Sequence, residues 1–320
     1  MSFLRCFVFL ATTTPFVIQA HRPTEQSLLI QKIIKTHKLN KRQAFQLTKI
    51  FKKSKYIGQG SQASQHPISR KQCLKKTKKR HMPAHQVCIF PFMVKISGQS
   101  SVCIDQFEFP NIPCEYPVTW VKPHEAHQLC SIMGKRLCDA HEWEAGCSGK
   151  PLQSEKNFSE TRHMPVKEAM KWMRFHHNKN REKVWGYGLK ENQNLCSTQS
   201  FKSNHCQQAQ EKASGTYAAC GSNTYPAGSS LHCKSAIGVY DLHGNVAEHM
   251  NLPVRKEQMG SQNGVGFTEM KGSWFIFSKI KAHADDCYWR APFWHGTHIL
   301  SPRGHSNYHL GFRCCSDIKL

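Results

Sequence analysis

At 320 residues the chain can form one large domain or two ordinary ones, so a sizeable core is within reach. Only 39% of its residues are hydrophobic, and beyond the N-terminus no run approaches the roughly 20 apolar residues that a membrane span needs, which argues against a membrane-embedded protein. The net charge is +23, and +16 of it falls in residues 21–87, where 17 Lys and Arg face the single acid Glu25.

The first 20 residues read as a secretory signal: Arg5 supplies a positive start, Cys6 to Ile18 is mostly apolar, and Ile18-Gln-Ala20 ends on a small residue suited to cleavage. A buried helix is the competing reading, but Thr12, Thr13, Thr14 and Pro15 make a poor helix interior. The chain is therefore expected to be exported, to a periplasm, a cell surface or the medium. Cleavage would remove Cys6 and leave 14 of the 15 cysteines, spread from Cys73 to Cys315. An even count in an exported chain favours disulfides, and no Cys-x-x-Cys pair supports a zinc site.

Residues 21–87 are expected to form a basic helical and linker segment. Leu28, Leu29, Ile33 and Ile34 recur near helical period, as do Phe45, Leu47, Ile50 and Phe51, which predicts two short amphipathic helices with lysine-rich polar faces. From Gly58 to Pro83 the composition predicts a flexible linker. Such a polycation suits an anionic surface, with a solvated tail as the alternative, and it carries no module for specific nucleic-acid reading.

A folded domain is expected over 88–320. Val87-Cys-Ile-Phe90 and Val102 to Phe109 are rich in β-branched and aromatic residues and predict two strands. Pro123 opens a helix whose Ala126, Leu129, Cys130 and Met133 share one face before Gly134. Asp139 and Glu142 form a capping pair for a second helix, carrying Trp143 and Cys147 and closed by Gly149. Residues 150–221 are polar and irregular, with one candidate helix from Val166 to His176 and a glycosylation sequon at Asn157, and they read as insertions on a core.

In Gly238-Val-Tyr-Asp-Leu-His-Gly-Asn-Val-Ala-Glu-His249, Gly244 and Asn245 tolerate left-handed backbone and Glu248 adds a carboxylate. Two readings stand: a turn before a surface strand, or an oxygen-rich loop suited to a hard cation such as Ca²⁺. The last apolar run, His309 to Cys315, predicts a closing strand with Cys314 and Cys315 on opposite faces.

Cys103-Ile-Asp-Gln-Phe-Glu, Tyr116-Pro-Val, Gly134-Lys-Arg-Leu-Cys-Asp-Ala-His-Glu-Trp-Glu144, Tyr225-Pro-Ala-Gly228, the Gly238–Glu248 stretch, Lys271-Gly-Ser-Trp274 and Gly311-Phe-Arg-Cys314 occur in the order of a known family. The chain resembles the formylglycine-generating enzymes, or sulfatase-modifying factors, over about residues 88–315. The resemblance implies a single, loop-rich α+β domain, a variant of the C-type lectin-like fold. It also implies a Ca²⁺ loop at Gly244, Asn245, Val246 and Glu248, and a Cys130–Cys314 disulfide. Enzymes of that family hold Cu(I) between two cysteines five residues apart. In Ala282-His-Ala-Asp-Asp-Cys287 only Cys287 is a cysteine, so copper chemistry is not expected.

The leading expectation is a binding or assembly module for a protein or glycan ligand. The runner-up is an oxidoreductase acting on a peptide or secreted metabolite, with Cys287 as its catalytic thiolate or with a histidine-bound metal. Cys287 could instead pair with Cys147 in a disulfide. His124 and His127, and the group His295, His298, His305 and His309, are the histidine candidates, with surface imidazoles of no special role as the alternative.

Overall fold

The computed structural model describes residues 24–54, 57–59, 64–77, 87–96, 102–150, 158–202, 220–292 and 296–318. The expected signal segment, the sequon at Asn157 and His295 lie outside them.

Two small sheets and a set of helices make a mixed, loop-rich α+β fold without a closed barrel. The first sheet has the order β1 (Met93–Lys95), β2 (Val102–Asp105), β7 (Cys314–Asp317) and β3 (Arg136–Leu137), all antiparallel. The second places β4 (Ala247–Leu252) between β5 (Phe267–Lys271), antiparallel, and β6 (Leu310–Phe312), parallel. The apolar C-terminal run is thus two strands rather than one, divided at Arg313 and shared between the sheets. Its two cysteines do diverge: Cys314 bonds Cys130 on α4 (Pro123–Ile132), and Cys315 bonds Cys138 just before α5 (Ala140–Ser148). β4 is buried along its whole length, so it is a core strand and not a surface one.

Local signals explain the central helices. Pro123 occupies the first turn of α4, the Glu125 side chain accepts from the Lys122 amide, and Gly134 turns the chain away at φ 75°. Asp139 begins α5, Glu142 accepts from the Asp139 amide at 2.9 Å, and Gly149 closes the helix in the left-handed region. The helix expected from Val166 runs to Lys179 as α7, preceded by the short α6 (Phe158–Thr161). Residues 87–90 depart from expectation. They form turns, held by the Cys88–Cys103 disulfide, and pairing begins only at Met93. β2 likewise stops at Asp105, before the cis Phe109–Pro110 bond.

The boundary expected at residue 87 is not a structural one. Leu29, Ile30 and Ile33 of α1 (Glu25–Thr36) and Leu47 and Phe51 of α2 (Lys41–Lys53) are buried in one cluster with Leu129 of α4, Phe109 and Phe312. The presumed linker is equally tied down. α3 (Arg70–Thr77) is joined to the domain by Cys73–Cys114, His66 stacks on Tyr116, and Lys32 and Arg70 both pair with buried Glu115. The lysines point outward while the alternating apolar stripe, not the charge, decides where the helices go.

Six disulfides close among the described residues: Cys73–Cys114, Cys88–Cys103, Cys130–Cys314, Cys138–Cys315, Cys147–Cys287 and Cys196–Cys233. Cys220 is disulfide-bonded as well. No described helix is long and apolar enough to cross a membrane.

Candidate functional site

The Gly244–Glu248 loop is built as a rigid corner. Gly244 lies at φ 91° and Asn245 at φ 58°, and a Cβ on Gly244 would come within 2.7 Å of the Ser197 carbonyl oxygen, so the turn requires glycine. The Asn245 side chain accepts from the Tyr225 amide at 2.8 Å and donates to Glu108 at 2.6 Å, while Glu108 also accepts from the Val246 amide at 3.0 Å. Glu248 accepts from Arg313 Nη2 at 2.5 Å, from Arg313 Nε at 2.7 Å and from Trp143 Nε1 at 2.9 Å. Arg313 reaches further, donating to the Asp105 and Tyr240 carbonyls.

This donor set does not fit Ca²⁺. Asn245 turns its oxygen to a backbone N–H, and both oxygens of Glu248 face a guanidinium that would repel a cation. The expected calcium ligands Gly244, Asn245, Val246 and Glu248 instead form a fully buried hydrogen-bonded junction between the two sheets. Its carboxylates bear the cost of burial. Asp241 is pushed up to about 7 by desolvation, and Glu108 rises well above the usual range through desolvation and the neighbouring Asp241 and Glu248.

Cys287 is fully buried and disulfide-bonded to Cys147, so it presents no thiolate. His243 stands beside that bridge. Its Nε2 is 3.3 Å from Cys147 Sγ and accepts from the Gly186 amide at 2.9 Å, and its Nδ1 faces Asp285 at 3.3 Å. Cys147, His243 and Cys287 would make a tight ligand trio, but both sulfurs are committed to each other. Asp139, His141 and Glu142 also lie close together, yet Asp139 accepts from Gly260 and Asn251, and Glu142 is gripped by Arg136.

The open chemistry lies elsewhere, in a cavity of about 340 Å³ against the second sheet. Ala247 and Met270 form its floor, and loops contribute Trp274, Ala282, His283, Trp289, Asn307 and His309. His283 stacks on Trp289 with ring centres 4.3 Å apart, and His309 meets Trp274 edge-on at 4.2 Å. Burial lowers the His283 pKa, and its Nδ1 lies 2.7 Å from the Ala284 carbonyl. The result is a largely apolar and aromatic wall with a few polar atoms, the usual make-up of a small ligand pocket. Lys202 stands 5.5 Å from the centre of Trp274 on the cavity's flank.

Of the histidine candidates, His305 and His309 line this cavity. His298 is separate, edge-on to Phe267, and His127 lines a second, smaller cavity beside Lys135 and Arg136. Trp289, His283 and Met270 escaped the sequence reading, because they come from three loop and strand segments with no shared period. The Lys271-Gly-Ser-Trp274 motif was the one available signal.

A family model described as the sulfatase-modifying factor enzyme 1-like domain matches residues 14–318, nearly the whole chain. The chain belongs to this family. The match includes the basic segment as well as the sheets. No curated protein matches. Among solved structures, PvdO from Pseudomonas aeruginosa is 14% identical, with 82% of this chain and 79% of that one covered and a TM-score of 0.27. CarF is also 14% identical, with 78% and 82% covered and a TM-score of 0.31. In this member of the sulfatase-modifying factor family, Ala282 and His283 lie in the cavity wall and Cys287 is held in a core disulfide.

Proposed function

We propose that this chain is an exported sulfatase-modifying-factor-like protein that acts as a binding module without copper oxidase chemistry, taking an apolar or aromatic side chain of a protein partner into the Trp274–Trp289 cavity. The observation that carries it is the lining: aromatic rings, Ala282 and imidazoles, with no thiol among them. Two thiolates are what Cu(I) needs, and the nearest candidate, Cys287, is held by Cys147. Disulfides in this number suit an oxidising compartment, which supports export.

Anaerobic Cu(I) titration of the purified protein tests the reading. Weak binding that is indifferent to Cys287→Ser is expected; tight stoichiometric binding lost in that variant would overturn it. The second reading, an oxidoreductase with a histidine-bound metal, rests on His283, His305 and His309 sharing one cavity. They are not drawn to ligating distance, since the trios of candidate ligands within 4.8 Å among the described residues lie elsewhere. Stoichiometric Fe²⁺ uptake abolished by His309→Ala would establish that alternative instead.

A further inference from the structure

The outward face of α2 is charged in a way its packing does not use. At roughly 100° per residue, Lys41 and Lys52 fall on one side of Phe45, and Lys49, Arg42 and Lys53 on the other, all within about 80° of it. The buried Leu47 and Phe51 lie about 120–160° around the helix from Phe45. All five cations are exposed, none forms an ion pair with a described residue, and the helix contains no acid. Phe45 sits at the middle of this arc and is 70% exposed.

We infer that the α2 face carrying Phe45, Lys41, Arg42, Lys49, Lys52 and Lys53 docks the folded protein onto an anionic lipid surface. The apolar stripe of α2 is already consumed by the core, so the helix does not insert. Five ammonium and guanidinium groups lie over the headgroups, and the phenyl ring enters the interface between them. The exposed ring selects lipid over a nucleic acid or sulfated glycan. A polyanion satisfies the lysines equally well but gives a single phenyl ring no apolar layer to be buried in. Long lysine stems can spread along the interface while their charges stay hydrated.

Co-sedimentation of the full chain with vesicles tests this, comparing phosphatidylcholine alone with a roughly 3:1 mixture of phosphatidylcholine and phosphatidylglycerol at about 0.1 M NaCl. Binding to the mixed vesicles only is expected, with most of it lost at about 0.5 M NaCl. Each cation is worth about fivefold in partitioning, so Lys49→Gln/Lys52→Gln should weaken binding by more than tenfold. Phe45→Ala should weaken it several-fold, and all variants should melt close to the parent because these side chains are largely exposed. As a control of equal charge, Lys71→Gln/Lys75→Gln on α3 should keep most of the binding. Equal loss in the α3 variant, no effect of Phe45→Ala, or retention on heparin without vesicle binding would each overturn the inference.

Discussion

Asp241 shows how much the sheet junction depends on a few atoms. It is fully buried, its Oδ2 accepts from the Gly228 amide at 2.5 Å, and its Oδ1 has no hydrogen-bond partner among the described residues. Desolvation raises its pKa from 3.8 to about 7. A carboxyl with a raised folded pKa contributes stability that is complete below the unfolded value and is lost as pH rises through the folded one. The window here is therefore about pH 4 to 7, and Glu108 shifts in the same direction. Asp241→Asn keeps an oxygen for Gly228 and suits the φ of 57°, but cannot ionise. The variant should be more stable than the parent by about 1–3 kcal/mol at pH 8 and equal or slightly weaker at pH 4, the gain being reduced by an amide with an unpaired N–H. Denaturant midpoints across that range check it, and parallel pH curves for parent and variant would count against a strained carboxyl.

At the scale of elements, the basic N-terminal helices are the part whose role changes most. Leu47 and Phe51 are buried against the domain, so Leu47→Ala and Phe51→Ala should each cost about 2–5 kcal/mol in the global unfolding transition. A detached leader would leave that transition unmoved, and thermal melts of the two variants decide the matter. The apolar period of α1 and α2 was readable, as were the Pro123 start, the Asp139–Glu142 cap and the span of α7, because caps and helical spacing are written within a dozen residues. What those helices pack on was not readable, since Phe109 and Phe312 are supplied by distant segments. Val87 to Phe90 failed for the converse reason: their β propensity is local, whereas the Cys88–Cys103 bridge that sets their path is not. The Gly244–Asn245 turn was legible down to its backbone geometry. Its chemistry was not, because the partner that displaces a cation, Arg313, lies 65 residues beyond Glu248.

For the whole molecule, the disulfides matter as a nest rather than as separate staples. Cys130–Cys314 and Cys138–Cys315 span 184 and 177 residues, and together they join α4 and the start of α5 to neighbouring positions of one closing strand. In the chain-entropy model an isolated bridge of such length contributes about 5 kcal/mol, but Cys147–Cys287 already closes the interior, so the first of the pair closes a ring of only about 40 residues, worth about 4 kcal/mol. Once one of the pair is closed, however, the other closes a ring of only about nine further residues, worth about 2.5 kcal/mol. Cys130→Ala/Cys314→Ala should therefore cost about 2–3 kcal/mol, and Cys138→Ala/Cys315→Ala about the same, whereas removing both should cost about 6–7. The excess over the sum, about 1–2 kcal/mol, is the coupling that a double-mutant cycle under non-reducing guanidinium denaturation reads directly. Additive losses, or a single pair costing the full value of about 4 kcal/mol, would mean that the two bridges restrain separate parts of the unfolded chain, contrary to a topology in which each one guards the ends that the other has already brought together.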